Sequence, residues 1–87
     1  MRLDKFLQVS RLVKRRTTAN TLCNKGAVNV NGHVAKAGKN LAVGDVICLP
    51  HPSGDEEMPA PEYEVLELPA GNVSRARAAT LYRQLNP

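Results

Sequence analysis

Aromatic side chains are scarce in this 87-residue sequence, in which Phe6, Tyr63 and Tyr82 make up 3% of the residues and tryptophan is absent. Proteins that stack the bases of single-stranded nucleic acid on exposed rings need more aromatic residues than this. The scarcity therefore argues against recognition by base stacking. A nucleic-acid partner would have to be recognised through its phosphates, sugars and shape.

Cysteine is also rare: Cys23 and Cys48 are the two in the sequence, and both stand next to apolar residues. We interpret them as small buried hydrophobic residues rather than as metal ligands or a disulfide pair. His33 and His51 have no acid or cysteine at ligand spacing, so we expect no metal site. The sequence also lacks a phosphate-binding glycine loop, a dinucleotide fingerprint and a nucleophile–base set. We therefore expect no catalytic residues, no cofactor and no enzymatic activity.

Long apolar runs and a secretory signal are missing as well. A membrane-spanning helix needs about 20 consecutive apolar residues, and a signal peptide needs an apolar central region. We therefore expect a cytoplasmic protein without a membrane partner.

Acidic residues are nearly absent from the first half of the chain. Residues 1–44 contain nine Lys or Arg and one acid, a net charge of +8, whereas residues 45–87 contain three Lys or Arg and seven acids, a net charge of −4. A basic half of this kind is typical of proteins that bind nucleic acid. The alternative is a solvated basic helix without a partner, which is less favoured because such surfaces usually carry interspersed acids.

Two helices are predicted in the basic half. The first covers Arg2–Val13, where four residues recur at helical spacing: Leu3, Phe6, Leu7 and Ser10. The second is predicted to begin after Thr17 or Thr18 and to stop at Lys25-Gly26.

The junction between these helices carries three successive cations, Lys14, Arg15 and Arg16. They directly precede the N-terminus of the second helix, where free backbone N–H groups and the helix dipole favour an anion. The junction is therefore a candidate phosphate-binding position, although helix capping and solvation are the alternative for these arginines.

Strand periodicity follows Gly26. Asn31-Gly32 predicts a type I′ hairpin turn between Val28–Val30 and a return strand that begins at Val34-Ala35. An irregular polar connection covers Lys36–Asn40. Two further strands are predicted, over Val46–Leu49 and Tyr63–Leu68.

The remaining segments are a loop and a final helix. Residues 50–61 are rich in proline and acids and predict a surface loop that lies far from the basic helices. The final helix is predicted with Ser74 as its N-cap and with one apolar face: Ala78, Leu81, Tyr82 and Leu85. This order predicts an α+β domain in which two short N-terminal helices pack on a small, mainly antiparallel sheet, with a C-terminal helix added.

Four short motifs within residues 1–49 resemble the S4 RNA-binding domain family. They are Arg2-Leu3-Asp4, Arg15-Arg16-Thr17, the segment from Gly26 to Gly32, and Gly44-Asp45-Val46-Ile47. The resemblance implies that residues 1–49 are an RNA-binding motif whose helices turn a basic face toward RNA. Residues 50–61 and 62–87 would then be the loop, and the last strand and helix, of the same single domain.

Within that family, the opening Met1–Thr17 and the tail Arg77–Tyr82 are similar to small bacterial ribosome-associated quality-control factors. This resemblance implies binding to the large ribosomal subunit, with contacts to its rRNA and to the P-site peptidyl-tRNA. A tailing factor on the same subunit would add C-terminal tails to the stalled nascent chain. The resemblance also implies a ribosome-associated, cytoplasmic protein, which we expect to be a monomer.

Two alternatives stay open. Heat-shock proteins of the same family bind large subunits that carry obstructed peptidyl-tRNA for recycling, but they carry a long basic C-terminal extension, whereas this sequence ends at Pro87. The second alternative is an interaction module without RNA, which would dock through the C-terminal helix or the acidic loop.

The candidate RNA contacts are the cations of the opening segment and of the connection after the hairpin: Arg2, Lys5, Arg11, Lys14, Arg15, Arg16, Lys36 and Lys39. We expect Asp4 to complement the dipole of the first helix and to pair with Arg11 or Lys14, not to act as a catalytic acid. The arginines of the acidic half are expected to pair with glutamates or to face solvent: Arg75, Arg77 and Arg83.

Overall fold

The computed structural model describes residues 1–51, 57 and 59–86. Within these residues the helices are α1 (Leu3–Val9), α2 (Arg16–Asn24) and α3 (Arg75–Ala78). The strands are β1 (Asn29–Val30), β2 (His33–Val34), β3 (Val46–Cys48), β4 (Glu62–Val65) and β5 (Tyr82–Gln84). The strands form one antiparallel sheet in the order β2-β1-β3-β4-β5. The expected α+β class is confirmed.

The core lies between the helices and one face of the sheet, because apolar residues at helical spacing and at alternate strand positions meet there. Phe6 from α1 and Ile47 from β3 are completely buried, and burying side chains of this size stabilises a fold by about 1.5–3 kcal/mol each. Other core residues with no exposed surface are Leu3, Leu7, Ala19, Val28, Val65 and Leu81. The cysteines are both free, and Cys23 is buried whereas Cys48 is only partly buried.

The first helix is shorter than the spacing predicts, since it ends at Val9 instead of Val13. Arg11 lies in the left-handed region, with a φ of 63°, and a residue in that conformation ends a helix. The hydroxyl of Ser10 donates to the Leu7 carbonyl at 3.2 Å and helps to close this end. The second helix starts at Arg16, with Arg15 as its N-cap, so the predicted start after Thr17 or Thr18 is wrong.

The hairpin turn is confirmed, although the return strand begins at His33, one residue before the predicted Val34. Asn31 and Gly32 both have positive φ angles, 54° and 83°, as a type I′ turn requires. The Asn31 side chain also fixes the turn against β3: its amide donates to Asp45 at 3.1 Å, and its oxygen accepts the Val46 N–H at 2.9 Å. The hairpin and the turn before β3 therefore support each other.

The C-terminal segment differs most from the expectation. Ser74 is the N-cap of α3, as predicted, and accepts the Arg77 N–H at 3.2 Å, but the helix ends at Ala78. The expected apolar helix face that continues to Leu85 is wrong, because Tyr82–Gln84 forms β5 and pairs with β4. The backbone N–H and C=O groups of β4 that face away from β3 form hydrogen bonds with β5. Without β5, these groups would be unpaired at the edge of the sheet.

Candidate nucleic-acid interface

A buried carboxylate, that of Asp4, lies at the centre of the basic surface. Its side chain is 3% exposed, and it accepts Arg2 Nε at 3.2 Å and Arg16 Nε at 3.4 Å. The Lys5 backbone N–H donates to it at 2.8 Å and the Asn20 amide at 3.5 Å. We call Asp4, Arg2 and Arg16 the Asp4 clamp, because one acid holds arginines from the start of α1 and the start of α2.

The charges of the Asp4 clamp leave a net positive surface. Burial by itself raises the pKa of Asp4, but the Asn20 hydrogen bond, the charge of Arg16, the Lys5 N–H and the charge of Arg2 together outweigh it, so that the pKa is lowered. Asp4 is thus ionised at neutral pH and neutralises one of its two arginines. The arginine side chains are 51% and 47% exposed, so both guanidinium groups reach solvent. The arrangement presents two oriented cations to solvent.

The connection after the hairpin packs against the start of α1. The carbonyl of Lys39 accepts the Leu3 N–H at 2.8 Å, and that of Ala37 accepts the Asp4 N–H at 3.2 Å. These bonds satisfy the first N–H groups of the helix and hold the backbone of Ala37 and Lys39 against the start of α1, while the side chains of Lys36 and Lys39 are exposed. The side chains at this end, and not free helix amides, are therefore available to an anion.

The other candidate residues lie along α1 and at the junction. Lys5 is partly buried and its Nζ donates to Asn72 at 3.1 Å. Arg11 and Lys14 are exposed beyond the end of α1, and Arg15 is exposed at the start of α2, where no side chain caps the helix. The structure thus brings Arg2 and Arg16 together at one acid and places Arg11 and Lys14 in a second group.

The expected partners of Asp4 were wrong. Neither Arg11 nor Lys14 contacts it, because the left-handed turn at Arg11 carries both away from the first turn of α1. The pairing expected in the acidic half is correct for two arginines: Arg77 pairs with Glu67, and Arg83 pairs with Glu64 at 2.5 Å.

Arg75 meets the other half of that expectation: it is exposed and has no glutamate partner among the described residues, and it lies beside Arg11 and Lys14. Reading along the sequence missed this residue because it lies sixty-four positions after Arg11, in the half of the chain whose net charge is negative. The sequence gives one local indication that Arg75 is unpaired: no acid lies within four residues of it.

The predicted loop at residues 50–61 lies partly outside the described residues, which omit 52–56 and 58. Its described ends, Pro50, His51 and Pro61, line a groove together with Leu12 and Lys14. The expectation that the loop lies far from the basic helices is therefore wrong for its two ends. They are held there because the Leu49 N–H donates to the Pro61 carbonyl at 3.0 Å.

Two further features of the described residues bear on other functions. They contain no group of three or more His, Cys, Asp or Glu side chains that could hold a metal ion. None of the helices in this part of the chain is long and apolar enough to cross a membrane.

Comparison with known proteins identifies relatives. The S4 domain family model matches residues 1–47. The RQC P-site tRNA stabilizing factor of Helicobacter pylori is 50% identical over 70 residues, which cover 80% of this chain and 77% of that protein. The factor of the same name from Halalkalibacterium halodurans is 57% identical over 49 residues, 56% of each chain.

A solved structure supports the fold over nearly the whole chain. The trimeric heat shock protein 15 of Vibrio cholerae superposes with a TM-score of 0.81 and 27% sequence identity, covering 97% of this chain and 80% of that one. The match includes the C-terminal segment that follows the S4 region.

Proposed function

The chain belongs to the S4 domain family, and on that basis we propose that it is an RNA-binding protein of the large ribosomal subunit. It contacts rRNA and the P-site peptidyl-tRNA and supports quality control of stalled nascent chains while a tailing factor adds C-terminal tails. Residues 1–49 are the RNA-binding motif of this proposal. The protein acts as a cytoplasmic, ribosome-associated monomer and takes part by binding, not by catalysis.

The observation that carries the proposal is the Asp4 clamp. Arg2 and Arg16 lie fourteen positions apart in the sequence, yet one buried carboxylate holds both while their side chains are about half exposed. Arginine held in a fixed orientation binds phosphate oxygens in a bidentate geometry and loses less entropy on binding than a free side chain. The identity of 50% to an RQC P-site tRNA stabilizing factor supports the ribosomal partner.

The electrostatics support phosphate contacts in place of base stacking. Lys36 and Lys39 are exposed in the connection that packs against the start of α1, and Arg15, which directly precedes Arg16, is exposed as well. The two tyrosines, Tyr63 and Tyr82, pack edge to face against each other with 5.4 Å between their ring centroids, and Tyr82 pairs with Val65 in the sheet. The surface is therefore suited to an RNA backbone.

Salt-dependent co-sedimentation with large subunits tests this proposal. If four to six cations reach phosphates, log K against log salt has a slope of about −3 to −5, at ~0.7–0.9 per contact. Arg16→Gln is expected to weaken binding and to flatten the slope by about 0.7–0.9. Arg83→Gln is the matched control, because it removes the same charge from a residue that is paired with Glu64. A slope near zero for the wild-type protein would reject the electrostatic mode of binding.

A second candidate function is recycling of large subunits with obstructed peptidyl-tRNA, as a heat-shock type of S4 protein. The TM-score of 0.81 to heat shock protein 15 favours it, while the identity of 27% to that protein is well below the 50% to the quality-control factor. Analysis of stalled nascent chains in cells that lack the protein distinguishes the two functions. The quality-control function predicts that tails on stalled chains disappear, whereas the recycling function predicts that tails persist and obstructed subunits accumulate.

A further inference from the structure

An open cleft of about 560 Å³ lies at the end of α1, where the chain after residue 71 passes alongside it. Its walls come from two distant parts of the sequence: Gln8, Val9, Arg11, Lys14, Asn72, Val73 and Arg75. The second of these parts lies outside residues 1–47, which match the S4 domain. The cleft is therefore a feature that only the complete fold produces.

Three cations and no acid line the cleft. In the described part of the chain, Arg11, Lys14 and Arg75 form no ion pair, whereas the neighbouring Arg77 and Arg83 are both paired with glutamates. Like charges that converge on one concavity repel each other and concentrate a positive potential there. An anion bound between them would relieve that repulsion.

The backbone on both sides holds the cations at the cleft. Arg11 has a φ of 63°, in the left-handed region that residues with a side chain rarely adopt, and its N–H donates to the Gln8 carbonyl at 3.1 Å. On the other side, Asn72 is fastened to α1 by the 3.1 Å hydrogen bond from Lys5. The Ser74 cap then fixes Arg75 at the first position of α3.

We propose that this cleft binds a phosphodiester of an RNA strand, so that Arg75 extends the RNA interface beyond the S4 motif. The inference rests on the proposed function. Arg11, Lys14 and Arg75 neutralise the phosphate, and the amides of Gln8 and Asn72 bond to phosphate or ribose oxygens. Gln8 follows Asp4 by one helical turn, so a strand held at the Asp4 clamp continues into the cleft along α1.

Binding of Arg75→Gln to large subunits over a salt series tests the proposal, with Arg77→Gln as the matched control. Each variant removes one exposed charge from α3, but Arg77 is paired with Glu67. We expect Arg75→Gln to weaken binding about three- to tenfold and to flatten the salt slope by about 0.7–0.9. Arg77→Gln should change affinity less than about twofold. Equal affinities and slopes for the two variants would overturn the proposal.

Further arms identify the phosphate and separate this inference from the proposed function. An Arg75 effect on subunits with an empty P site assigns the phosphate to rRNA, and an effect that appears only with P-site tRNA assigns it to tRNA. If Arg16→Gln weakens binding while Arg75→Gln does not, the cleft proposal fails and the proposed function stands. If the wild-type protein itself shows no salt-dependent binding, the proposed function fails.

A competition experiment tests whether the basic cleft binds an acidic peptide instead of RNA. Poly-glutamate and a single-stranded RNA oligonucleotide are titrated against the wild-type protein and Arg75→Gln. We expect the substitution to weaken RNA binding more than poly-glutamate binding. The reverse order would overturn the proposal in favour of an acidic peptide. Unchanged melting temperatures of both arginine variants verify that each result reports on binding and not on folding.

Discussion

Asp4 and Arg16 join α1 to α2 through an ion pair, with 3.4 Å between Oδ2 of Asp4 and Nε of Arg16. The same carboxylate holds Arg2, so one buried acid sets the positions of the two arginines that we propose as central RNA contacts. On that proposal, stability and RNA binding are coupled at this point. We expect a substitution of Arg16 to change both, and experiments on this residue need to measure both.

Charge reversal at Arg16 is expected to destabilise the fold. Considered from the sequence, an acid at the start of α2 would stabilise that helix slightly through its dipole. In the structure, Arg16→Glu places a second carboxylate against Asp4, whose side chain is 3% exposed, and we expect a loss of about 1–2 kcal/mol because Arg16 is half exposed. Urea denaturation measures the loss. Arg15→Glu is the control and should cost less than about 0.5 kcal/mol; equal stability of the two variants would contradict the role of the ion pair.

Acid stability should depend on Asp4. Its pKa is lowered in the folded protein, so the stabilisation from its ionised form is complete above the ordinary pKa, near 4, and is lost as the pH falls through the folded value. We expect Asp4→Asn to be less stable than the wild type at pH 7, by about 1–3 kcal/mol, and to lose less stability below pH 4. Denaturation curves from pH 7 to pH 2 test this.

Asp45 contributes to the acid sensitivity that remains in Asp4→Asn. Its pKa is also lowered, mainly because its carboxylate accepts the Ala42 N–H. The double variant with Asp45→Asn should therefore show a still flatter pH dependence than Asp4→Asn alone. Parallel curves for the wild type and Asp4→Asn below pH 4 would show that Asp4 is not the source.

The hairpin turn should be sensitive to substitution of Asn31. Asn31→Ala removes two hydrogen bonds, to Asp45 and Val46, and keeps a side chain at a φ of 54°, so we expect a cost of about 1.5–3 kcal/mol. Asn31→Gly loses the same hydrogen bonds but tolerates the positive φ, and it should recover about 1 kcal/mol. Thermal unfolding of both variants separates these contributions. A glycine variant less stable than the alanine variant would contradict this explanation of the turn.

The C-terminal segment should stabilise the core through Leu81. This side chain is completely buried, so Leu81→Ala is expected to cost about 2–5 kcal/mol. Leu85 is 43% exposed, and Leu85→Ala should cost less than about 1 kcal/mol. Chemical denaturation distinguishes this arrangement from the single apolar helix face that the spacing predicts, in which both leucines would be buried and both substitutions costly.

Local signals in the sequence are confirmed where neighbouring residues decide the structure. Asn31-Gly32 specifies its turn because both residues tolerate positive φ, and Gly26 ends α2 with a φ of 75° for the same reason. Ser74 caps α3 because its hydroxyl reaches the Arg77 N–H within one turn. The excess of cations in the first half also follows from composition alone, and with it the expectation of an anionic partner.

The sequence by itself therefore determined the α+β class, the hairpin and the basic character of residues 1–44. The tertiary structure decided that Tyr82–Gln84 is a strand, because pairing with β4 outweighs the helical spacing of its residues. It also decided which cations stand together: Arg2 with Arg16 at Asp4, and Arg75 with Arg11 and Lys14. Charge interactions fall off with distance in space, and distances between residues far apart in the chain are set by packing.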